Sequence, residues 1–300
     1  MRLAILARSQ WANPGTANAY QGIALTFEWR HCISSAQHFF ALGLNAQSDG
    51  STLGGLSNQQ FLPTAAYHQY LGRDWFIAVG GSLGLLHYAL QGDDLRFNAQ
   101  YLGGYFDAAR DDREDLDENG RLVADMSGGF QVYNNRQNIA VGFAWLHLNQ
   151  PTYSLLDEKN KLGISFVSHG TITLPFPSEY RANKSGVAAK WLLRRQSFSG
   201  RNSQQWTLLV GPMGKWAFSE YGSAQFGVYL RCGSRAGKQG AVTINAVLPT
   251  ATYQSRNWSV SLTYDANMSG LRTQFAGGME VWLSHNFGNY DKCINCKVGR

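Results

Sequence analysis

Apolar and polar residues alternate with a period of two along almost the whole chain. Ile23, Leu25, Phe27 and Trp29 fall on one face of a strand, opposite Gly22, Ala24, Thr26 and Glu28. Ile139, Val141, Phe143 and Trp145 oppose Asn138, Ala140, Gly142 and Ala144, and Trp258, Val260, Leu262 and Tyr264 oppose Asn257, Ser259, Ser261 and Thr263. Ala224, Phe226, Val228 and Leu230 form a further row against Ser223, Gln225, Gly227 and Arg231, with Tyr229 interrupting the polar side. Val242, Ile244, Ala246 and Leu248 read as one more row. Successive side chains of a strand point to opposite faces, so this is β periodicity and not the 3.6-residue repeat of a helix.

Extended along the chain, the pattern predicts fourteen strands. They lie near residues 2–8, 20–29, 37–46, 61–71, 75–89, 122–133, 137–147, 161–174, 185–194, 204–212, 223–231, 241–248, 256–264 and 274–287. Odd-numbered connections come out at 11, 14, 32, 13, 9, 9 and 9 residues and even-numbered ones at 7, 3, 3, 10, 10 and 7. Long connections outside and short turns on the periplasmic side are the rhythm of outer-membrane barrels. Gly72-Arg73-Asp74 and Asn134-Asn135-Arg136 are the tightest predicted turns.

Alternation by itself also fits a soluble β-sandwich. Two features favour lipid. The second face is small and polar rather than packable, and many apolar rows end in Trp, Tyr or Phe, where an aromatic girdle meets the lipid–water boundary. Composition agrees: only 15% of residues are charged, 13% are aromatic and 33 are glycine. The mean hydropathy is nonetheless −0.27. The most apolar stretch, Trp75–Leu90, holds three glycines and falls short of a spanning helix, whereas a spanning strand needs only about 9–11 residues. The expected fold is therefore an all-β transmembrane antiparallel barrel of about 14 strands over residues 1–287, with residues 288–300 as a periplasmic tail. The opening Met-Arg-Leu-Ala-Ile-Leu-Ala is too short for a secretory leader, so the export signal and the barrel's N-terminal start are expected to lie outside this sequence.

Several segments resemble the PorP/SprF family. Tyr264-Asp265, then Asn267, Ser269, Gly270 and Leu271, then Gly277, Gly278 and Glu280 are similar to that family's last turn and closing strand. Arg8-Ser9-Gln10-Trp11 resembles its early Arg-Asn-Gln-Trp, with Ser9 in place of Asn. His147-Leu148-Asn149-Gln150-Pro151 is similar to a motif after a mid-barrel strand. The family's Asn-Pro-Ala-rich opening is absent, and the tail carries Cys293 and Cys296 where members more often have one Cys. The resemblance implies an outer-membrane protein of type IX export in Bacteroidota. Its implied partners are outer-membrane lipid, the periplasmic ring proteins, and a secreted cargo or, in gliding species, a surface adhesin.

Candidate chemistry is sparse. Asp115, Asp117, Asn119 and Gly120 match the start of a calcium loop, but the twelfth position, which should be Glu, is Met126. The segment reads as a solvated outer loop, with Asp115, Asp117 and Asn119 as a weak divalent-ion candidate. Cys293 and Cys296 lack a second ligand pair for zinc, which leaves a local disulfide or two plain thiols. Cys32 and Cys232 fall on opposite sides and are not expected to pair. His147 and His169 lie near Ser154 and Ser168, but there is no Gly-x-Ser-x-Gly elbow, and no enzyme is expected. Glu28, Lys190, Arg194 and Glu280 are expected to point inward, where paired charges are the plainer reading and pore lining the functional one. A net charge of +6 comes with scattered Lys and Arg and no nucleic-acid signature. No cofactor is implied. The leading expectation is a non-enzymatic export component; a general porin or small-solute channel and a soluble all-β binding protein are the alternatives.

Overall fold

The computed structural model describes residues 1–10, 20–32, 38–51, 55–90, 98–102, 104–107, 109–110, 120–134, 139–153, 160–177, 184–197, 204–234, 242–268 and 277–287. Its strands are β1 (Arg2–Gln10), β2 (Tyr20–Cys32), β3 (His38–Ser51), β4 (Leu56–Gly72), β5 (Trp75–Leu90), β6 (Tyr101–Leu102), β7 (Tyr105–Phe106) and β8 (Arg121–Asn134). They continue with β9 (Ile139–Leu146), β10 (Ser165–Pro175), β11 (Gly186–Ser197), β12 (Gln204–Ala217), β13 (Ser223–Ser234), β14 (Val242–Gln254), β15 (Trp258–Asn267) and β16 (Gly278–Asn286). Fourteen of them form one closed antiparallel meander in which β1 pairs with β16; β6 and β7 are a separate small hairpin within the longest connection. Each barrel strand corresponds to one predicted from the alternation, whereas the β6–β7 hairpin was not expected.

Closure is complete along the seam. Nine residue pairs join β1 to β16, from Arg2 opposite Asn286 to Gln10 opposite Gly278. The Met1 ammonium donates to the Phe287 carbonyl at 3.3 Å, and the Phe287 amide donates back to the Met1 carbonyl at 2.8 Å. Each of the fourteen barrel strands therefore has a partner strand on both sides, the condition for placing β structure in lipid.

The outer surface is the apolar one. Ile23, Leu25, Val79, Leu83, Val260 and Leu262 are all exposed, as a lipid-facing wall requires and a water-facing one would not tolerate over so wide an area. Trp29, Phe40, Tyr67, Trp216, Tyr253 and Trp258 stand exposed toward the end that carries the shorter turns, forming an aromatic belt. Trp145 and Tyr264 occupy the same outward face toward the other end. The fold, the apolar exterior and the belt together make this an outer-membrane barrel. Among the described residues no helix is long and apolar enough to cross a membrane.

Connections on the two sides differ as expected, with one revision. Those at one end run 9, 4, 30, 18, 6, 7 and 10 residues, those at the other 5, 2, 4, 10, 5 and 3. The connection between β3 and β4, predicted at 14 residues, is only 4 because the two strands run on together. Gln47, Ser48, Asp49 and Gly50 pair with Gln60, Gln59, Asn58 and Ser57, a ladder polar on both faces that rises beyond the apolar band. With 17 residues β4 is about 57 Å long, well over the span that a tilted membrane strand needs.

Two local irregularities shape the wall. The two-residue turn between β4 and β5 places Arg73 and Asp74 at φ 50° and 65°, the mirror-image turn that matches strand twist, after Gly72 at φ 101°. The Asn134 side-chain amide holds it by donating to the Arg73 carbonyl at 3.1 Å. On β14, the predicted row Val242–Ile244–Ala246–Leu248 is broken. A bulge shifts the register between Arg231 and Cys232, so Val242 and Ile244 stay outward at 63% and 53% exposure. Ala246 and Leu248 turn to the lumen at 0% and 8%, the extra residue having flipped the faces.

Candidate functional site

The family-like motifs at the two ends of the chain meet in one place. Strand pairing puts Arg8 opposite Glu280, Gln10 opposite Gly278, and Gly278 opposite Asp265, all on the lumen side of the seam and all toward the long-loop end. Arg8 and Glu280 form an ion pair at 3.8 Å. Arg231 reaches across from β13 to make a bidentate pair with Asp265, one arm of which is 3.1 Å long. A Cβ on Gly278 would come within 2.9 Å of the Gln10 side chain, so glycine here makes room for Gln10. Tyr264 faces outward from the same stretch. Asn267 ends β15 opposite Ala246, and Gly277 sits against the Asp265 carbonyl and the Tyr264 hydroxyl. Trp11, Ser269, Gly270 and Leu271 lie outside the described residues.

The middle motif caps an exposed edge. β9 is only eight residues long and covers β8 from Gly128 to Asn134, leaving the upper part of β8 unpaired by β9. The segment after β9 takes over. Leu148 donates its backbone N–H to the Met126 carbonyl at 2.8 Å. The Asn149 amide donates to the Ala124 carbonyl at 2.7 Å and accepts from the Met126 N–H at 3.0 Å, substituting for a missing strand residue. His147 Nδ1 bonds the Asp125 carboxylate at 2.9 Å, and Asp125 is only 2% exposed. His147 and Gln150 sit at φ 59° and 44°, left-handed geometry held by these bonds. Pro151 and Leu162 are buried, Leu162 N–H bonds the Pro151 carbonyl at 2.8 Å, and the Tyr153 ring lies 5.8 Å from that of the lumen-facing Tyr88. The described parts of this connection therefore lie over part of the lumen mouth.

Charge divides the lumen into two unlike halves. Toward the long-loop end the inward strand positions carry Arg8, Arg121, Arg194 and Arg231 together with Asp49, Asp125, Asp265 and Glu280. Asp49 accepts from Gln47, and Arg194 donates to the Ser165 hydroxyl at 3.0 Å. Toward the short-turn end stand Arg2, Arg30, Lys190 and Lys215, and the one inward carboxylate among the described residues, Glu28, is bonded to Arg2 at 2.5 Å. A cavity of about 470 Å³ opens there, lined by Arg30, Lys190, Lys215 and polar side chains including His68, Thr171 and Gln225. Glu28, Lys190, Arg194 and Glu280 all face inward as expected. Among the described residues pairing holds for Glu28 and Glu280 but not for Lys190.

Among the described residues no group of three or more His, Cys, Asp or Glu side chains could hold a metal ion; Asp115, Asp117 and Asn119 lie outside them, as do Cys293 and Cys296. His169 faces the lumen while its neighbour Ser168 faces outward, so the two do not form a dyad; Ser154 is outside the described residues. Cys232 is a free thiol near the long-loop end, whereas the backbone of Cys32 ends β2 at the other.

A family model described as type IX secretion system membrane protein PorP/SprF matches residues 1–284. Among solved structures, the deltaS2 mutant of the TodX monoaromatic hydrocarbon channel is similar with a TM-score of 0.54 and 9% identity, covering 96% of this chain and 89% of that one. The CymD monoaromatic hydrocarbon channel follows with a TM-score of 0.51 and 8% identity, covering 96% and 89%. At such identities the likeness shows the barrel fold alone. A comparison with functionally curated proteins finds no significant match.

Proposed function

Because the chain belongs to the PorP/SprF family of type IX secretion system membrane proteins, we propose that it is a non-enzymatic outer-membrane component of that export machinery whose short-turn end docks a periplasmic partner. The observation that carries this reading is the family match, which spans residues 1–284, nearly the whole barrel, rather than one motif. Its family and fold are those of a membrane protein of secretion, not of a known enzyme.

In this reading the short turns, both barrel termini and the tail of residues 288–300 face the periplasm, and the longer connections face outward, as in other outer-membrane barrels. The partners would be the periplasmic ring proteins of the system and a secreted cargo, in gliding cells a surface adhesin. The decisive experiment is a chromosomal deletion in the native host, with comparison of the proteins released to the medium and cell surface. Loss of type IX cargo, restored by the intact gene, is the expected result; unchanged export would refute the role.

A small-solute channel is the second reading, favoured by the polar lumen and its 470 Å³ cavity. The structural neighbours are named as hydrocarbon channels, but their likeness carries no substrate to this chain. Steady conductance of the purified barrel in planar bilayers would support a channel, and a silent bilayer would oppose it.

A further inference from the structure

We infer that the short-turn half of the lumen is an anion-binding vestibule that takes carboxylate groups; the inference deepens the docking role proposed above and rests on it for the side of entry. Lys190 and Lys215 project from adjacent strands into one cavity, and among the described residues neither makes an ion pair or hydrogen bond. Arg30, stacked over Phe39 at 5.4 Å, lines the same space. None of the described residues lining the cavity is acidic, and Glu28 nearby is engaged by Arg2. A cleft of one sign inside a low-dielectric wall focuses its field and concentrates counter-ions, and rings of Lys and Arg select anions in pores.

The position of the cations identifies their ligand's chemistry. They face the lumen, not the lipid, so bilayer headgroups do not reach them. Thr171, Thr173 and Gln225 add neutral hydrogen-bonding groups around the same cavity, the setting in which carboxylates are held by charge-assisted bonds. Access is assigned to the short-turn side because the cavity lies toward that end, whereas at the other mouth the segment after β9 packs Tyr153 against Tyr88 over part of the opening. This chain's own tail is a poor occupant: residues 288–300 contain Asp291 against Lys292, Lys297 and Arg300. The proposed source is another molecule, either an acidic segment of a periplasmic protein or a free polycarboxylate; this chain's own acidic stretch, Asp107 to Glu118, belongs to a connection at the opposite end.

The test uses the full-length barrel in detergent and a fluorophore-labelled hexaglutamate peptide, with hexaglutamine as the uncharged control. Fluorescence anisotropy should report hexaglutamate binding that weakens as salt rises, and none for hexaglutamine. In the Lys190→Gln/Lys215→Gln double variant the affinity should fall by about tenfold or more, since hydrogen bonds to charged groups are lost. Lys161→Gln, which removes the same charge from the long-loop side, should bind as the wild type does. A heat-dependent gel shift verifies that each variant is folded. Competition by citrate at matching carboxylate concentration supports a free polycarboxylate as the source; failure of citrate to compete supports an extended acidic segment. Equal binding by wild type and double variant, or no salt-sensitive binding to the wild type, overturns the vestibule. Neither result bears on the export role, which the deletion experiment tests separately.

Discussion

The two halves of the lumen hold comparable numbers of cations but treat them differently. Near the long-loop end arginines meet carboxylates in the wall: Arg8 with Glu280 and Arg231 with Asp265, while His147 holds Asp125. Near the short-turn end Lys190 and Lys215 line open space. An ion that is part of a packed wall must be paired, because leaving it alone out of water costs several kcal/mol. An ion beside a water-filled cavity needs no partner and remains available to a visitor. The difference marks the first half as structure that fastens the seam and loop, and the second as a surface kept for an occupant.

Substitutions can break or sharpen that contrast. The largest effect is expected from Arg231→Ala, which strands the 4%-exposed Asp265 without its bidentate partner and should destabilise the barrel by about 3–5 kcal/mol. Urea titration followed by loss of the heat-resistant gel form gives the number. Asn149→Ala removes both side-chain bonds to the β8 edge and should cost about 1–3 kcal/mol, with faster hydrogen exchange at the Met126 amide as its local signature. Arg8→Gln opens a longer, partly exposed pair at 3.8 Å and should shift stability by no more than about 1 kcal/mol. Smallest of all, Lys190→Gln with Lys215→Gln should stay within about 0.5 kcal/mol of the wild type. A loss there as large as that of Arg231→Ala would mean the lysines belong to the wall after all.

The strands were legible because lipid imposes a continuous apolar row on each, and only a period of two supplies it. What lipid does not touch was harder to read. The upper parts of β3 and β4, from Gln47 to Gly50 and Ser57 to Gln60, are polar on both faces, so the alternation ends before the strands do. The β14 bulge was hidden because Ala246 and Leu248 are as apolar as Ile244, and nothing local signals that the lumen, rather than lipid, receives them. Tyr229 did register as an interruption; it is an inward residue beside Gly227, where an added Cβ would meet its ring at 3.1 Å.

The candidate site was legible in part. Arg8, Gln10, Asp265, Gly278 and Glu280 drew notice through family resemblance, yet only closure of β1 on β16 explains why they belong together. Asn149 likewise stood out without a role, since the edge it caps lies some 23–25 residues earlier in the chain. The contrast between Lys190 and Arg194 is a matter of which end of a single strand each occupies. That could be read only once the neighbouring strands were in register.

Site-specific photo-crosslinking in living cells tests the central claim most directly. A photoreactive residue would replace Asp74, in the turn between β4 and β5, or Leu102, in the exposed β6–β7 hairpin at the opposite end. The account predicts that Asp74 captures a periplasmic ring protein of the type IX system, identified by mass spectrometry, while Leu102 does not. Capture of the ring from Leu102 alone, or from neither position in cells with active export, would contradict it.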